Sequence, residues 1–325
     1  MLVGELALTS LRYAMEPKNQ HDYLAIDVAK DQLHCRSQTQ RLCAFNHAQG
    51  HDQIVATARQ LPQPCLVLEA TGGYEQTLLA RLRAEALPAI VVNPRRLRAF
   101  AISEGVHAKT DPIDAQMLLR FAQQKQLQPL AAPAAANTAL AALMDRRAHL
   151  VGALAREKNR DQNGPEDPFI RKTRRESLRW HQRQIDKIEQ EIRHRIAADP
   201  ALRTPCGALL NIAGVGEITA WSILAYMPEI TQLGRNQAVA LAGLAPYNRD
   251  SGKKQGLRCI HAGRAKVRKA LYMAAVSAAQ HNPVIKAFVN RLIKKGKPTK
   301  VAYTAAMRKL FIHIRSTLIE HQNST

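Results

Sequence analysis

An ordered series of short apolar runs, two of them closing on a carboxylate, constrains this chain more than any other feature. Tyr23-Leu-Ala-Ile-Asp27 ends on Asp27, and Cys65-Leu-Val-Leu-Glu69 ends on Glu69. Short apolar runs of this kind are of strand type. The spacing predicts strands over 23–29, about 32–37 and 41–46, the last two joined by a polar turn near Thr39. A helix over about 51–61, the strand 65–70, a helix after Gly72-Gly73 through Glu85 and a strand 89–93 stopping at Pro94 follow. Two more acids, Asp111 and Asp114 in Lys109-Thr-Asp-Pro-Ile-Asp-Ala, stand one helical turn apart at the start of a helix.

Three strands followed by alternating helix and strand is the order of a ribonuclease-H-like α/β domain. In that architecture acids sit on the first strand, on the fourth and on a late helix, where Asp27, Glu69 and Asp111/Asp114 fall. Taken singly, each acid has a plainer explanation: a strand-end turn residue for Asp27 or Glu69, a dipole partner at a helix start for Asp114. Thr110 also fits as a helix cap. Taken together, four like charges repel one another unless a cation neutralises them. Mg²⁺, or Mn²⁺ in its place, takes oxygen ligands and accepts phosphate as a further ligand. The expected chemistry is on phosphodiesters. Lys109 and His107 lie just outside this set and could contact the scissile phosphate or balance charge.

The charge balance agrees. The formal net charge is +21 with a pI near 10.2, which suggests a polyanionic partner. Residues 1–128 hold 14 Lys+Arg against 12 Asp+Glu, whereas residues 129–325 hold 33 against 14. From Arg235 onward there are 18 basic residues and only two acids, Asp250 and Glu320, so this stretch is expected to lie along a nucleic-acid backbone. Aromatic content of 5% argues against base stacking as the main binding mode. The five cysteines form no Cys-x-x-Cys pair, which indicates neither a disulfide framework nor a zinc site and fits a reducing cytoplasm. No signal-peptide pattern and no membrane-length apolar run is present, so a soluble, unexported protein with no membrane partner is expected.

The organisation expected is an N-terminal extension (1–20), the α/β domain (21–128), a linker and helical hairpin (129–200) and a helical C-terminal domain (201–325). Helices over 140–159 and 175–196, broken by Asn163-Gly164-Pro165 and Pro168, resemble an antiparallel coiled-coil connector that supports oligomerisation or grips a long ligand. Ile212-Ala-Gly214-Val-Gly216 has the pattern of a helix-hairpin-helix, in which backbone N–H groups at a helix start bind phosphate; a plain Gly-capped turn is the alternative. Further on, Lys253, Lys254, Arg258, Arg264 and Arg268 are candidate nucleic-acid contacts leading into the helix 269–280, and a final helix with a basic face is expected over 300–320.

Ser251, in Asn248-Arg-Asp-Ser251-Gly252-Lys-Lys, sits in a polar loop among positive charges that would attract phosphate. A serine before glycine is far more often a turn residue than a nucleophile, and a free hydroxyl needs activation. No neighbour is an evident base, so the residues alone leave Ser251 undecided.

The set Ile26-Asp27-Val-Ala-Lys30, Leu68-Glu69-Ala-Thr-Gly72-Gly-Tyr74, Val92-Asn-Pro94, Lys109-Thr-Asp111-Pro-Ile-Asp114-Ala, Ile212-Ala-Gly-Val-Gly216 and Ala242-Gly-Leu-Ala-Pro246 through Ser251-Gly252 to Arg268-Lys-Ala-Leu-Tyr272 resembles the DEDD transposases of the insertion-sequence one-ten class. That group includes the Piv-type DNA invertases and the bridge-RNA-guided recombinases. The resemblance runs from about Tyr23 to the last helix; the N-terminal extension and the helical hairpin match weakly. It implies a RuvC-like domain, a coiled-coil connector and a C-terminal transposase domain that supplies a serine. It also implies Mg²⁺ bound by Asp27, Glu69, Asp111 and Asp114, and Ser251 as the nucleophile that forms a phosphoserine with DNA. Donor and target double-stranded DNA, a structured guide RNA, a homo-oligomer (dimer or tetramer) and a composite site shared between protomers are implied as well. The location implied is cytoplasmic, at the nucleoid when acting. Competing expectations are a RuvC-like junction-resolving nuclease using metal-activated water, and a non-catalytic nucleic-acid-binding derivative. An actin-like ATPase shares the Asp-ending first strand, but no matching phosphate loop follows.

Overall fold

A computed structural model describes residues 21–106, 111–129, 133–163, 167–248, 256 and 258–323, without the side chains of Asp111, Pro112 and Asn163. The N-terminal extension to residue 20, His107, Lys109, Ser251, Lys253 and Lys254 therefore lie outside the described residues, as does the side chain of Asp111. The chain divides into two compact units, 1–132 and 133–325.

The first unit runs β1 (Asp22–Val28), β2 (Gln32–Arg36), β3 (Arg41–Phe45), α1 (Ala48–Arg59), β4 (Pro64–Glu69), α2 (Gln76–Ala84), β5 (Ala89–Val92), α3 (Pro94–Ser103) and α4 (Asp111–Lys125). The sheet order is β3-β2-β1-β4-β5, with β1–β3 antiparallel and β1, β4 and β5 parallel. This mixed sheet has the strand order expected of a ribonuclease-H-like domain.

Successive residues of a strand point to opposite faces, so β1 feeds two cores at once. Leu24, Ile26 and Val28 join Leu66, Leu68, Ile54 of α1 and Leu78 and Leu82 of α2 on one face. Tyr23 and Ala25 join Cys65, Val67, Phe100 of α3 and Leu118, Phe121 and Ala122 of α4 on the other. Double coverage explains why 23–26 and 65–68 are apolar without alternation.

The second unit is helical apart from one short hairpin: α5 (Ala135–Asn163), α6 (Pro168–Ala198), α7 (Pro200–Leu210), α8 (Glu217–Tyr226), α9 (Arg235–Leu241), β6 (Pro246–Tyr247), β7 (Cys259–Ile260), α10 (Ala265–His281), α11 (Pro283–Lys294) and α12 (Thr299–Asn323). Helices α5 and α6 pack antiparallel. Leu150 and Leu154 meet Ile185, the Arg147 guanidinium donates to Glu189 at 2.7 Å, and Leu140 and Met144 share a core with Ile192 and Ile196. That core continues without a break through Leu209, Trp221, Leu271, Phe311 and Ile314, so the hairpin and the C-terminal helices bury one apolar interior.

Candidate functional site

Strand register sets two of the nominated carboxylates side by side. In the parallel β1–β4 pair Ile26 lies beside Leu68, so the next residues, Asp27 and Glu69, are neighbours at the C-terminal edge. Both are half-buried, and parity places both on the face covered by α4, with Tyr23, Ala25, Cys65 and Val67. His34 stands opposite Asp27 on β2 and shares this face. Helix α4 begins at Asp111 and packs on β1, β2 and β4, with Asp114 half-buried one turn in.

Thus three of the four sequence-nominated acids stand on elements that converge on one sheet edge, and α4 starts at the fourth. All four supply hard oxygen donors of the kind Mg²⁺ or Mn²⁺ takes. Among the described residues no group of three His, Cys, Asp or Glu side chains is close enough to hold a metal ion. Asp27 and Glu69 are the register-adjacent pair.

The loops that leave these two strands are fastened to each other. Asn46, just after β3, uses its amide N–H groups to donate to the Ala29 carbonyl at 2.9 Å and the Tyr74 carbonyl at 3.3 Å, which lie beyond Asp27 and Glu69 respectively. Its Oδ1 accepts from His51 Nε2 at 2.8 Å, which makes His51 the Nε2–H tautomer. His51 is buried on α1, and burial, with His47 nearby, holds its pKa below the ordinary histidine value, which favours the neutral ring. The loop after Glu69 folds back on Glu75, which is 5% exposed and accepts from the backbone N–H groups of Thr71 and Gly73, both at 3.1 Å. Gly72 and Gly73 take φ of 62° and 100°, so the turn needs glycine twice.

In the second unit, β6 and β7 pair Pro246 with Ile260 and Tyr247 with Cys259, closing the base of the segment that contains Ser251. Tyr247 and His261 stack at 4.3 Å. Two of the candidate nucleic-acid contacts are anchors of this base. Arg264 donates to the Tyr226 carbonyl and pairs with buried Glu229, while Arg268 donates to the Ala262 carbonyl at 2.6 Å. Arg258 is exposed. Tyr226 donates its hydroxyl to Asp145 of α5 at 2.6 Å; burial first, and that carboxylate second, push its pKa far up.

The Gly214–Gly216 turn joins α7 to α8. Gly214 has φ of 98°, and a Cβ there would stand 2.4 Å from Ala278 Cβ on α10, so glycine is demanded by packing as much as by the turn. Gly216 caps α8 with extended backbone and open space around it. Glu217 sits in the first turn of α8 and accepts from Arg193 at 2.8 Å; that hydrogen bond lowers its pKa. A carboxylate already stands at this helix start.

Comparison with known proteins decides the family. The profile of DEDD transposases of the IS110 type, described as a transposase, matches residues 19–163. The profile of the transposase IS116/IS110/IS902 family matches residues 206–290. The chain belongs to the IS110 transposase family. Pilin gene-inverting proteins of Moraxella lacunata and Moraxella bovis are each 29% identical to it over 303 residues, covering 89% of this chain and 92% of theirs.

In this IS110-family chain the first profile spans Asp27, Glu69, Asp111 and Asp114, and the second spans Gly214, Gly216 and Ser251. No helix among the described residues is long and apolar enough to cross a membrane. Sequence reasoning missed Asn46, His51 and Glu75. The available signal was two polar residues out of pattern: a histidine on the apolar face of α1 and a glutamate two residues after the Gly72-Gly73 pair, both of which burial obliges to find partners.

Proposed function

We propose that this transposase is a site-specific DNA recombinase that moves an insertion sequence by cutting and rejoining strands through Ser251. The observation that carries the reading is the adjacency of Asp27 and Glu69 on parallel strands, on the face covered by the helix that begins with Asp111 and Asp114. The two pilin gene-inverting relatives, matched over nearly their whole length, support DNA rearrangement as the outcome.

The Ser251 hydroxyl oxygen attacks a DNA phosphorus, the bond from phosphorus to the 3′-oxygen breaks, and that oxygen leaves as a 3′-hydroxyl. The hydroxyl of a partner strand then attacks the phosphoserine, restoring serine and one phosphodiester. One ester is exchanged for another at each step, so no ATP is consumed. Asp27, Glu69, Asp111 and Asp114 would hold the divalent cation, whose contribution is to offset the charge developing on the phosphate oxygens. Half-burial of Asp27 and Glu69 strengthens their pull on a cation relative to a water-exposed pair. Ser251 and the carboxylates belong to different compact units, and we assign their meeting to the DNA-bound homo-oligomer, so that assembly gates cutting. A structured guide RNA fits the excess of 33 basic over 14 acidic residues in 129–325 and supplies sequence choice by base pairing.

The test is incubation of the protein with DNA bearing the element ends and Mg²⁺, followed by denaturing electrophoresis. A denaturant-resistant protein–DNA adduct is expected from the unaltered chain and from neither Ser251→Ala nor Asp27→Asn. An adduct that persists in Ser251→Ala contradicts the serine role. Free 5′-phosphate ends made independently of Ser251 would instead identify a water-using nuclease.

A further inference from the structure

Helix α6 carries two kinds of charge pattern. In its C-terminal half arginines are matched: Arg193 pairs with Glu217 at 2.8 Å and Arg195 with Glu191 at 2.7 Å. In its N-terminal half cations far outnumber carboxylates. Between Pro168 and Arg183 the sequence holds six cations against one carboxylate, Glu176. Pro168, Arg171, Lys172, Arg175, Glu176 and Arg179 line a shallow cleft of about 440 Å³ along one flank. Lys172, Arg175 and Arg179 are exposed, and among the described residues no carboxylate pairs with them. Lys172, Arg175 and Arg179 recur at three- and four-residue spacing, about 5–6 Å of helix rise per step. Such a row repels itself in the free protein and is relieved by a polyanion whose charges repeat on the same scale.

A second observation narrows the polyanion. Phe169 is 73% exposed and Trp180 is 45% exposed, although α6 has an apolar seam available through Leu178, Ile185 and Ile188. Eleven residues apart, they share one face three turns of helix from each other, next to the basic flank. Exposed rings beside a cationic groove bind strands whose base faces are open, since every base offers a π-face; a duplex hides those faces in its stack.

We propose that the N-terminal half of α6 is a docking surface for an unpaired DNA strand, with phosphates along Lys172, Arg175 and Arg179 and bases against Phe169 and Trp180. The inference rests on the chain acting on DNA and is independent of Ser251 and of the carboxylates.

The second tryptophan, Trp221, is 2% exposed, so quenching of tryptophan fluorescence by added strand reports Trp180. Titration of the full chain with oligothymidylate is expected to quench its emission, and Trp180→Phe to remove most of that response. The triple change Lys172→Gln, Arg175→Gln and Arg179→Gln is expected to weaken strand binding roughly tenfold at low salt. It should also flatten the slope of log K against log salt by about 2. An unchanged quench in Trp180→Phe, or an unchanged slope in the triple variant, overturns the proposal. A stronger response to the matching oligoribonucleotide overturns the choice of DNA. Self-association lost in the triple variant with no strand response would make this an interface between copies. Duplex binding without any single-strand response defeats this inference alone, whereas no DNA binding of either kind defeats the proposed function too.

Discussion

His51 Nε2 stands 2.8 Å from Asn46 Oδ1, and through Asn46 it reaches the backbone of both loops that follow the Asp27 and Glu69 strands. The contact explains how a sheet edge keeps two carboxylates side by side. Strand register sets their separation, while one amide spanning Ala29 and Tyr74 stops the loops from parting.

Replacing Asn46 by alanine removes three hydrogen bonds and leaves the buried His51 N–H without its acceptor. A loss of about 1–3 kcal/mol in unfolding free energy is expected, measured by urea denaturation of the full chain. Amide hydrogen exchange should accelerate in the loops around 29–31 and 70–75 before the strands respond. Unchanged protection there would show that the amide does not hold the loops.

The lowered pKa of His51 gives a pH signature. Its folded pKa lies below the ordinary value, so the unfolded chain binds the proton more readily. The stability it contributes is complete above the unfolded pKa of about 6.5 and is lost as pH falls through the lower folded value. His51→Gln, which keeps a donor without titrating, should reduce the dependence of the urea midpoint on pH below about 6.5. An equal dependence in both proteins would remove His51 as its source.

At Gly214 the expected effect comes from close packing. An alanine there has to hold φ near 98° and intrude on Ala278, whose Cβ would be 2.4 Å away. Gly214→Ala should cost about 1–3 kcal/mol, while Gly216→Ala, with open space at its Cβ, should cost less. Thermal denaturation of the two variants compares them directly.

Burial also sorts the thiols. Cys35 is pushed up to about 12, and Cys65 and Cys206 to about 11, all by burial, whereas Cys43 and Cys259 are exposed. Since the thiolate is the reactive form, iodoacetamide near neutral pH should label Cys43 and Cys259 first. Mass spectrometry of peptides taken along the time course gives the order, and early labelling of Cys35 would contradict the packing of β2.

The strands were legible because both faces of β1 and β4 are covered, which writes an unbroken apolar run ending on a carboxylate. The helix starts were harder, and one pattern accounts for much of the shortfall. Asn93-Pro94, Asp167-Pro168, Asp199-Pro200 and Asn282-Pro283 each open a helix, the Asn or Asp side chain accepting from backbone N–H groups while Pro occupies the first turn. Read as breaks, Pro94 and Pro168 hide α3 and delay α6 from 168 to 175; read as N1 prolines, they mark the starts. Likewise the Ala-rich stretch around 134–136 reads as a linker, although Ala is the strongest helix former and α5 begins at Ala135. Spacing nominates the four acids, and strand register sets Asp27 beside Glu69. His51 and Glu75 stand out only as polar residues in apolar surroundings, and the partners that join them to Asn46 and the loop backbone are brought near only by folding.

The account's central claim is an ester between Ser251 and cut DNA, formed beside the carboxylates of the first unit. Proteolysis of the trapped adduct, nuclease trimming and peptide mass mapping test it most directly. The account predicts a nucleotide remnant on the peptide containing Ser251, absent when Asp27 is Asn. A remnant on any other residue, or cleaved DNA carrying no peptide, would contradict it.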